Sequence, residues 1–179
     1  MLSIIVPARE FWDERSEEFI RTNDTTLYLE HSLLSISKWE AKWHISFIED
    51  EKTDEQIMDY IPCMSLKGDI DPMVIKALTQ RNVAEIHDYI ENPMTASTIK
   101  EIRRPSKSRQ KLTSELIYYY MIQYGIPVEF EKWHFNRLIT LIRICSAENE
   151  PKKKMTPSEQ ARYYRELNNA RRAKYHTRG

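Results

Sequence analysis

Between residues 112 and 145, apolar side chains recur at helical spacing on both sides of a single break. Before the break stand Leu116, Ile117, Tyr119, Tyr120 and Tyr124. After it come Phe130, Trp133, Leu138, Leu141, Ile142 and Cys145, three and four apart for much of their length, the period of a buried helix face. Gly125 suits a left-handed cap, and Pro127 cannot continue the first helix, so the pattern predicts a helical hairpin. No other stretch offers as much apolar surface. The hairpin is therefore expected to be the centre of the fold, with Trp133, Leu138 and Leu141 buried.

Upstream the period is shorter. Residues 2–6, 18–22 and 25–29 read as strands, with Asn23-Asp24 as a turn, and together predict a small three-stranded meander. Phe11 and Trp12 fall between strands, as a loop anchor on the helices. From Leu29 the spacing becomes helical through Leu33, Ile36 and Trp43, ending near His44. Thr53 and Gln56 form a capping box that opens a helix running to about Met64 and closed by Gly68. Asp71-Pro72 opens a short helix through Leu78, and Asn82 with Glu85 starts another that stops before Pro93. Residues 92–111, with two prolines and a basic run, read as a linker. Thr156-Pro157 and Glu159 make a second capping box, opening a polar helix that ends near Tyr175. The expected class is mainly α (α+β): a helical domain over 1–150 with an N-terminal β element, then a basic helical tail over 151–179.

Composition adds several exclusions and one asymmetry. Of 179 residues, 41% are hydrophobic and 11% aromatic, enough for a real core. Only three glycines occur, and neither GxGxxG nor GxxxxGK[ST] is present, which argues against phosphate-cradling loops. Residues 1–60 hold 14 acidic and 6 basic side chains, whereas 151–179 hold 9 basic and 2 acidic. An acidic front and a basic rear point to partner binding or self-association. Cys63 and Cys145 have no paired spacing and are expected in the core of a chain from a reducing compartment. Residues 1–6 are too short for a signal peptide, and no apolar run approaches the ~20 residues of a membrane span. These features point to a soluble, cytosolic chain.

Candidate chemistry is sparse. The five histidines show no HExxH-like spacing, neither cysteine has a CxxC neighbour, and no metal site or cofactor is expected. Lys-Trp-His occurs at 42–44 and at 132–134 with unlike flanks, which is coincidence rather than repeat. Glu129/Glu131 and Glu17/Glu18 do not share a helix face, and no GxSxG is present, so no catalytic residue is assigned. Residues suited to contacts remain. Tyr118, Tyr119 and Tyr120 cover nearly a full turn, so one either faces outward or has its hydroxyl satisfied within the helix. Arg162, Arg165, Arg171 and Arg172 interleave with Tyr163 and Tyr164 in the tail. That pattern fits nucleic acid, or better an acidic protein surface such as the chain's own front third in the same or a neighbouring copy.

Several segments taken together resemble a known family. They are Leu29-Glu30-His31-Ser32-Leu33, the Ser35 to Glu40 run with Trp39, Glu115 to Tyr119, Ile126-Pro127, Glu131-Lys132-Trp133-His134, Asn136 to Leu138, Leu141 to Cys145, and the exit from Pro151 to Met155. The chain is similar to a family of small proteins encoded in the tail-gene region of tailed bacteriophages and described as tail assembly chaperones. The likeness runs from the strand at 2–7 to Ala170-Arg171-Arg172. It implies binding to the tape-measure protein, a long helical chain, until tube subunits polymerise around it in the host cytoplasm. It carries no catalytic residues. An apolar groove formed by the hairpin with Trp39 and Trp43, and with charged flanks, would suit such a partner. A structural virion protein at the tail or head–tail junction is the alternative, and a nucleic-acid-binding module the third.

Overall fold

Pro7 divides one long β-ribbon into two short ones. Strand β1 (Leu2–Val6) pairs antiparallel with β4 (Thr25–Leu29), and β2 (Glu10–Asp13) pairs antiparallel with β3 (Glu18–Arg21). Three residues separate the pair Val6–Thr25 from the pair Glu10–Arg21 on each strand, so the register is continuous across the break. Proline has no N–H for a ladder. In its neighbourhood the Ala8 N–H turns to the Asp24 carboxylate (2.7 Å) and the Arg9 N–H to the Thr22 hydroxyl (2.9 Å). The Thr22 N–H then donates to the Arg9 carbonyl at 2.9 Å and resumes the ladder. The expected three-stranded meander is thus an interrupted two-stranded ribbon. The chain does not reverse at Asn23-Asp24, and Phe11 and Trp12 lie in β2 instead of a loop.

The computed structural model describes residues 1–13, 17–97, 111–149 and 157–175. It divides into two compact units, Met1–Glu148 and Asn149–Gly179. The first is organised around α1 (Leu33–Trp43), not around the expected hairpin. Ser32 caps α1 by accepting the Ser35 N–H, and His44 closes it in the left-handed conformation at φ 57°. Leu33, Ile36 and Trp39 are buried along one face. Against α1 pack α3 (Tyr60–Cys63), α6 (Ser114–Gln123) and a 3-10 turn at Val128–Lys132. The buried cluster then extends to Ile4, Val6, Leu27 and Leu29 of the ribbon.

Local signals account for most of the other boundaries. The Thr53–Gln56 capping box is formed on both sides and opens α2 (Asp54–Met58). The helix expected to continue to Met64 breaks at Asp59, because Pro62 offers no N–H to the Met58 carbonyl and its ring crowds it. Asp71 caps α4 (Pro72–Lys76) by accepting the Met73 N–H at 2.8 Å. Helix α5 (Gln80–Glu91) starts earlier than expected, with Thr79 as the cap and Asn82 as its reciprocal partner. It ends before Pro93.

The chain does reverse at Gly125. The Ile126 N–H reaches back to the Met121 carbonyl (2.8 Å) and the Gly125 N–H to Ile122 (3.1 Å), a Schellman closure with Gly125 at φ +64°. The second helix, however, starts at Phe135 rather than near Phe130: α7 spans Phe135–Asn149. Its buried face is accordingly Phe135, Leu138 and Ile142, while Trp133 and Leu141, expected in the core, are only half-buried. Phe130 stacks on Trp133 at 3.9 Å, and the Arg137 guanidinium lies 4.1 Å from the Trp133 ring centre. Cys63 and Cys145 are likewise half-buried rather than core residues.

The second unit contains α8 (Pro157–Tyr175), whose described side chains are exposed except for the half-buried Leu167. The expected cap at Thr156 and most of the expected linker, 98–110, lie outside the described residues. Among the described residues no helix is long and apolar enough to cross a membrane.

Candidate functional site

Where β4 runs into α1, the chain carries two titratable side chains, Glu30 and His31, into the interior. His31 Nδ1 lies 2.6 Å from the Tyr60 hydroxyl, and its ring meets that of His134 at 5.2 Å. His134 is placed by the turn into α7: the Phe135 N–H donates to the His31 carbonyl at 2.7 Å. His134 Nε2 lies 3.0 Å from the Tyr89 carbonyl, which can only accept, so this nitrogen carries the proton. The Tyr89 hydroxyl in turn donates to Glu30 Oε1 at 2.7 Å, and the Met1 α-amino group pairs with Glu30 Oε2 at 2.6 Å. His134 Nδ1 is buried with no hydrogen-bond partner among the described residues.

The electrostatics follow from burial. Desolvation, and then the neighbouring His134, push His31 down to about 3. Desolvation also lowers His134, against the Tyr89 carbonyl and Glu30, which favour its charged form. Both rings are therefore neutral near pH 7. This centre ties β4, α1, α3, α5 and α7 together. Its signal in the sequence was present: Glu30-His31 and His134 sit inside apolar runs, where a polar side chain must find a partner. The two Lys-Trp-His triplets are indeed unrelated, since His44 is an exposed helix cap and His134 a core residue.

An open cleft of about 630 Å³ lies beside α1, lined by Lys38, Lys42, Asp59, Cys63 and Lys132 among others. Asp59 is already engaged there, accepting from Lys42 Nζ at 2.6 Å and from Trp43 Nε1 at 2.8 Å. Burial, and then Asp59, hold the Cys63 thiol above its usual range, which disfavours the nucleophilic thiolate. Among the described residues no group of three or more His, Cys, Asp or Glu is placed to hold a metal ion.

The residues proposed for partner contact fare unequally. Trp39 is 0% exposed and its Nε1–H donates to the Gln56 carbonyl at 2.7 Å, so it serves the core and cannot line a groove. Trp43 is half-buried beside it, ring centres 6.4 Å apart. Tyr118 is half-buried and donates to Glu131 at 2.7 Å, Tyr120 is half-buried, and Tyr119 alone of the three faces outward at 55% exposure. Arg162, Arg165, Arg171 and Arg172 are exposed on α8, with Arg162 paired to Glu166 at 3.1 Å. Part of the acidic front is committed internally. Glu40 accepts the Phe47 and Ser114 N–H groups, Asp50 accepts from Ser46 and Lys111, and Glu30 and Asp59 are bound as above.

The surface that sequence reasoning overlooked is the outer half of the ribbon. Trp12 and Phe19 are cross-strand partners, edge to face with ring centres 5.0 Å apart, and are 53% and 71% exposed. Phe11, on the opposite face, packs on the core and anchors the ribbon. Exposed Glu10 and Arg21, 3.9 Å apart, pair across the strands on the same face, while Glu18, opposite Asp13 in register, falls on the face of Phe11. The signal was two apolar pairs, Phe11-Trp12 and Phe19-Ile20, flanking the polar run 13–18 of a hairpin.

No protein-family model, curated protein or solved structure matches the chain.

Proposed function

We propose that the protein is a non-enzymatic assembly factor that binds another protein, and specifically a chaperone for the tape-measure protein in phage tail morphogenesis. The observation that carries the binding role is the exposed Trp12–Phe19 pair on the β2–β3 ribbon. A two-stranded ribbon is marginal in water, and large aromatics held on its open face are the residues that dominate protein interfaces. Exposed Glu10, Glu17 and Glu18 on the same ribbon favour a partner with basic flanks beside its apolar stripe. What supports the tail-assembly assignment is the resemblance in the segments around Glu30-His31, Trp39 and Trp133-His134. Two of those segments meet in the buried polar centre, so they belong to the scaffold rather than to a contact surface.

The test is co-expression with the tape-measure protein of the same phage, followed by mass spectrometry of purified particles. A chaperone co-purifies with the tape-measure protein and is absent from particles. A fixed copy number in particles would replace this reading with that of a structural virion protein.

A further inference from the structure

The inner half of the ribbon has two edges, and the chain covers them unequally. On the β1 side, Asn82 Nδ2 of α5 donates to the Ile5 carbonyl at 3.1 Å. On the β4 side, the even-numbered residues face away from β1. The Tyr28 carbonyl accepts the Leu66 N–H at 3.0 Å, and the Glu30 N–H donates to the Met64 carbonyl at 2.9 Å. Residues 64–66 thus act as a short third strand, paired at Leu29–Ser65. The chain then turns away through Gly68, at φ +90°. Further along the same edge the Thr26 N–H, the Thr26 carbonyl and the Tyr28 N–H have no partner among the described residues.

Beside these groups lies a groove of about 430 Å³. Residues 25–28 line one side and Ile70, Met73 and Val74, with Asp69 and Asp71 among them, the other, and Arg21 and Lys67 also border it. The Lys67 ammonium sits 3.7 Å from the Tyr28 ring centre. An edge whose N–H and C=O groups are unpaired is a template for another strand, and folded proteins usually blunt it with a charge, a proline or a bulge. Here Thr25-Thr26-Leu27 carries none of these.

We propose that this open half of the β4 edge takes up an extended segment of a partner protein as an added strand, in line with residues 64–66. The backbone groups decide the class of occupant. A helix has its own N–H and C=O groups internally bonded, so only an extended chain can meet Thr26 and Tyr28. Its alternate side chains would then fall against Ile70, Met73 and Val74, which selects an apolar residue at every second position. This inference does not depend on the tail-assembly reading.

Amide hydrogen exchange followed by NMR tests it in two arms. In the free protein, the Thr26 and Tyr28 amides should exchange on the order of a hundredfold faster than those of Leu27 and Leu29, which face β1. Peptides of about ten residues, selected from a displayed random library, should alternate apolar residues and slow Thr26 and Tyr28 while leaving Leu27 unchanged. Equal protection of Thr26, Tyr28 and Leu27 in the free protein would overturn the proposal. So would a library that enriches nothing, or peptides that protect only the β2–β3 ribbon.

Discussion

His31 and His134, 103 positions apart in the chain, meet edge to face with ring centres 5.2 Å apart, and neither has room for a charge. An unfolded chain titrates both near pH 6.5. In the fold His31 is pushed down to about 3 and His134 is lowered as well. Between these limits the unfolded state binds more protons than the native state, so stability falls as the pH falls. The histidine contribution is complete above about pH 6.5 and is lost progressively towards pH 3. Urea midpoints measured from about pH 7 to pH 5.5, above the range where most carboxylates titrate, should decline. His31→Phe should be less stable at neutral pH and show a shallower decline. A wild-type midpoint flat across that range would contradict the neutral pair.

Glu40 is the second polar side chain on which the scaffold depends. Its two carboxylate oxygens accept the N–H groups of Phe47 (2.8 Å) and Ser114 (2.7 Å), joining the loop after α1 to the first turn of α6. Glu40→Ala leaves both donors unpaired, one of them fully buried. The expected loss is about 3 kcal/mol, with Glu40→Gln intermediate because it keeps only one acceptor oxygen. Denaturant unfolding at neutral pH measures this, and a loss under about 1 kcal/mol would show that water replaces the carboxylate.

The α7 register makes a contrasting pair. Leu138 is fully buried and Leu141 half-buried. Leu138→Ala should cost about 2–5 kcal/mol through lost transfer energy and the cavity left behind, and Leu141→Ala less than about 2 kcal/mol. Equal losses at the two positions would mean that the helix is rotated from the face described above.

Residues whose signals act over a few positions were legible in the sequence. The Thr53–Gln56 box, the Asp71-Pro72 start and the Gly125 closure need only local hydrogen bonds or a left-handed backbone, and the strands at 2–6 and 25–29 show in their own β-branched runs. The failures turned on contacts that periodicity does not show. Phe130 and Trp133 keep helical spacing, yet they stack on each other outside α7. Trp39 was expected to line a groove with Trp43 and the hairpin, but its Nε1–H finds a carbonyl 17 positions away. The aromatic ribbon face was hidden because Asn23-Asp24 resembles a reversal, and only the continuous register shows the chain going straight on.

The proposed binding role places the partner on the Trp12–Phe19 face. The most direct measurement is titration calorimetry of the tape-measure protein with wild type and with the double variant Trp12→Ser, Phe19→Ser. Both side chains are largely exposed, so the unfolding midpoint should move by no more than the equivalent of about 0.5 kcal/mol per site. Binding should weaken by at least about 2 kcal/mol, roughly thirtyfold in Kd, as expected when interface anchors are removed. Undiminished binding by a correctly folded double variant would contradict a binding role for this face.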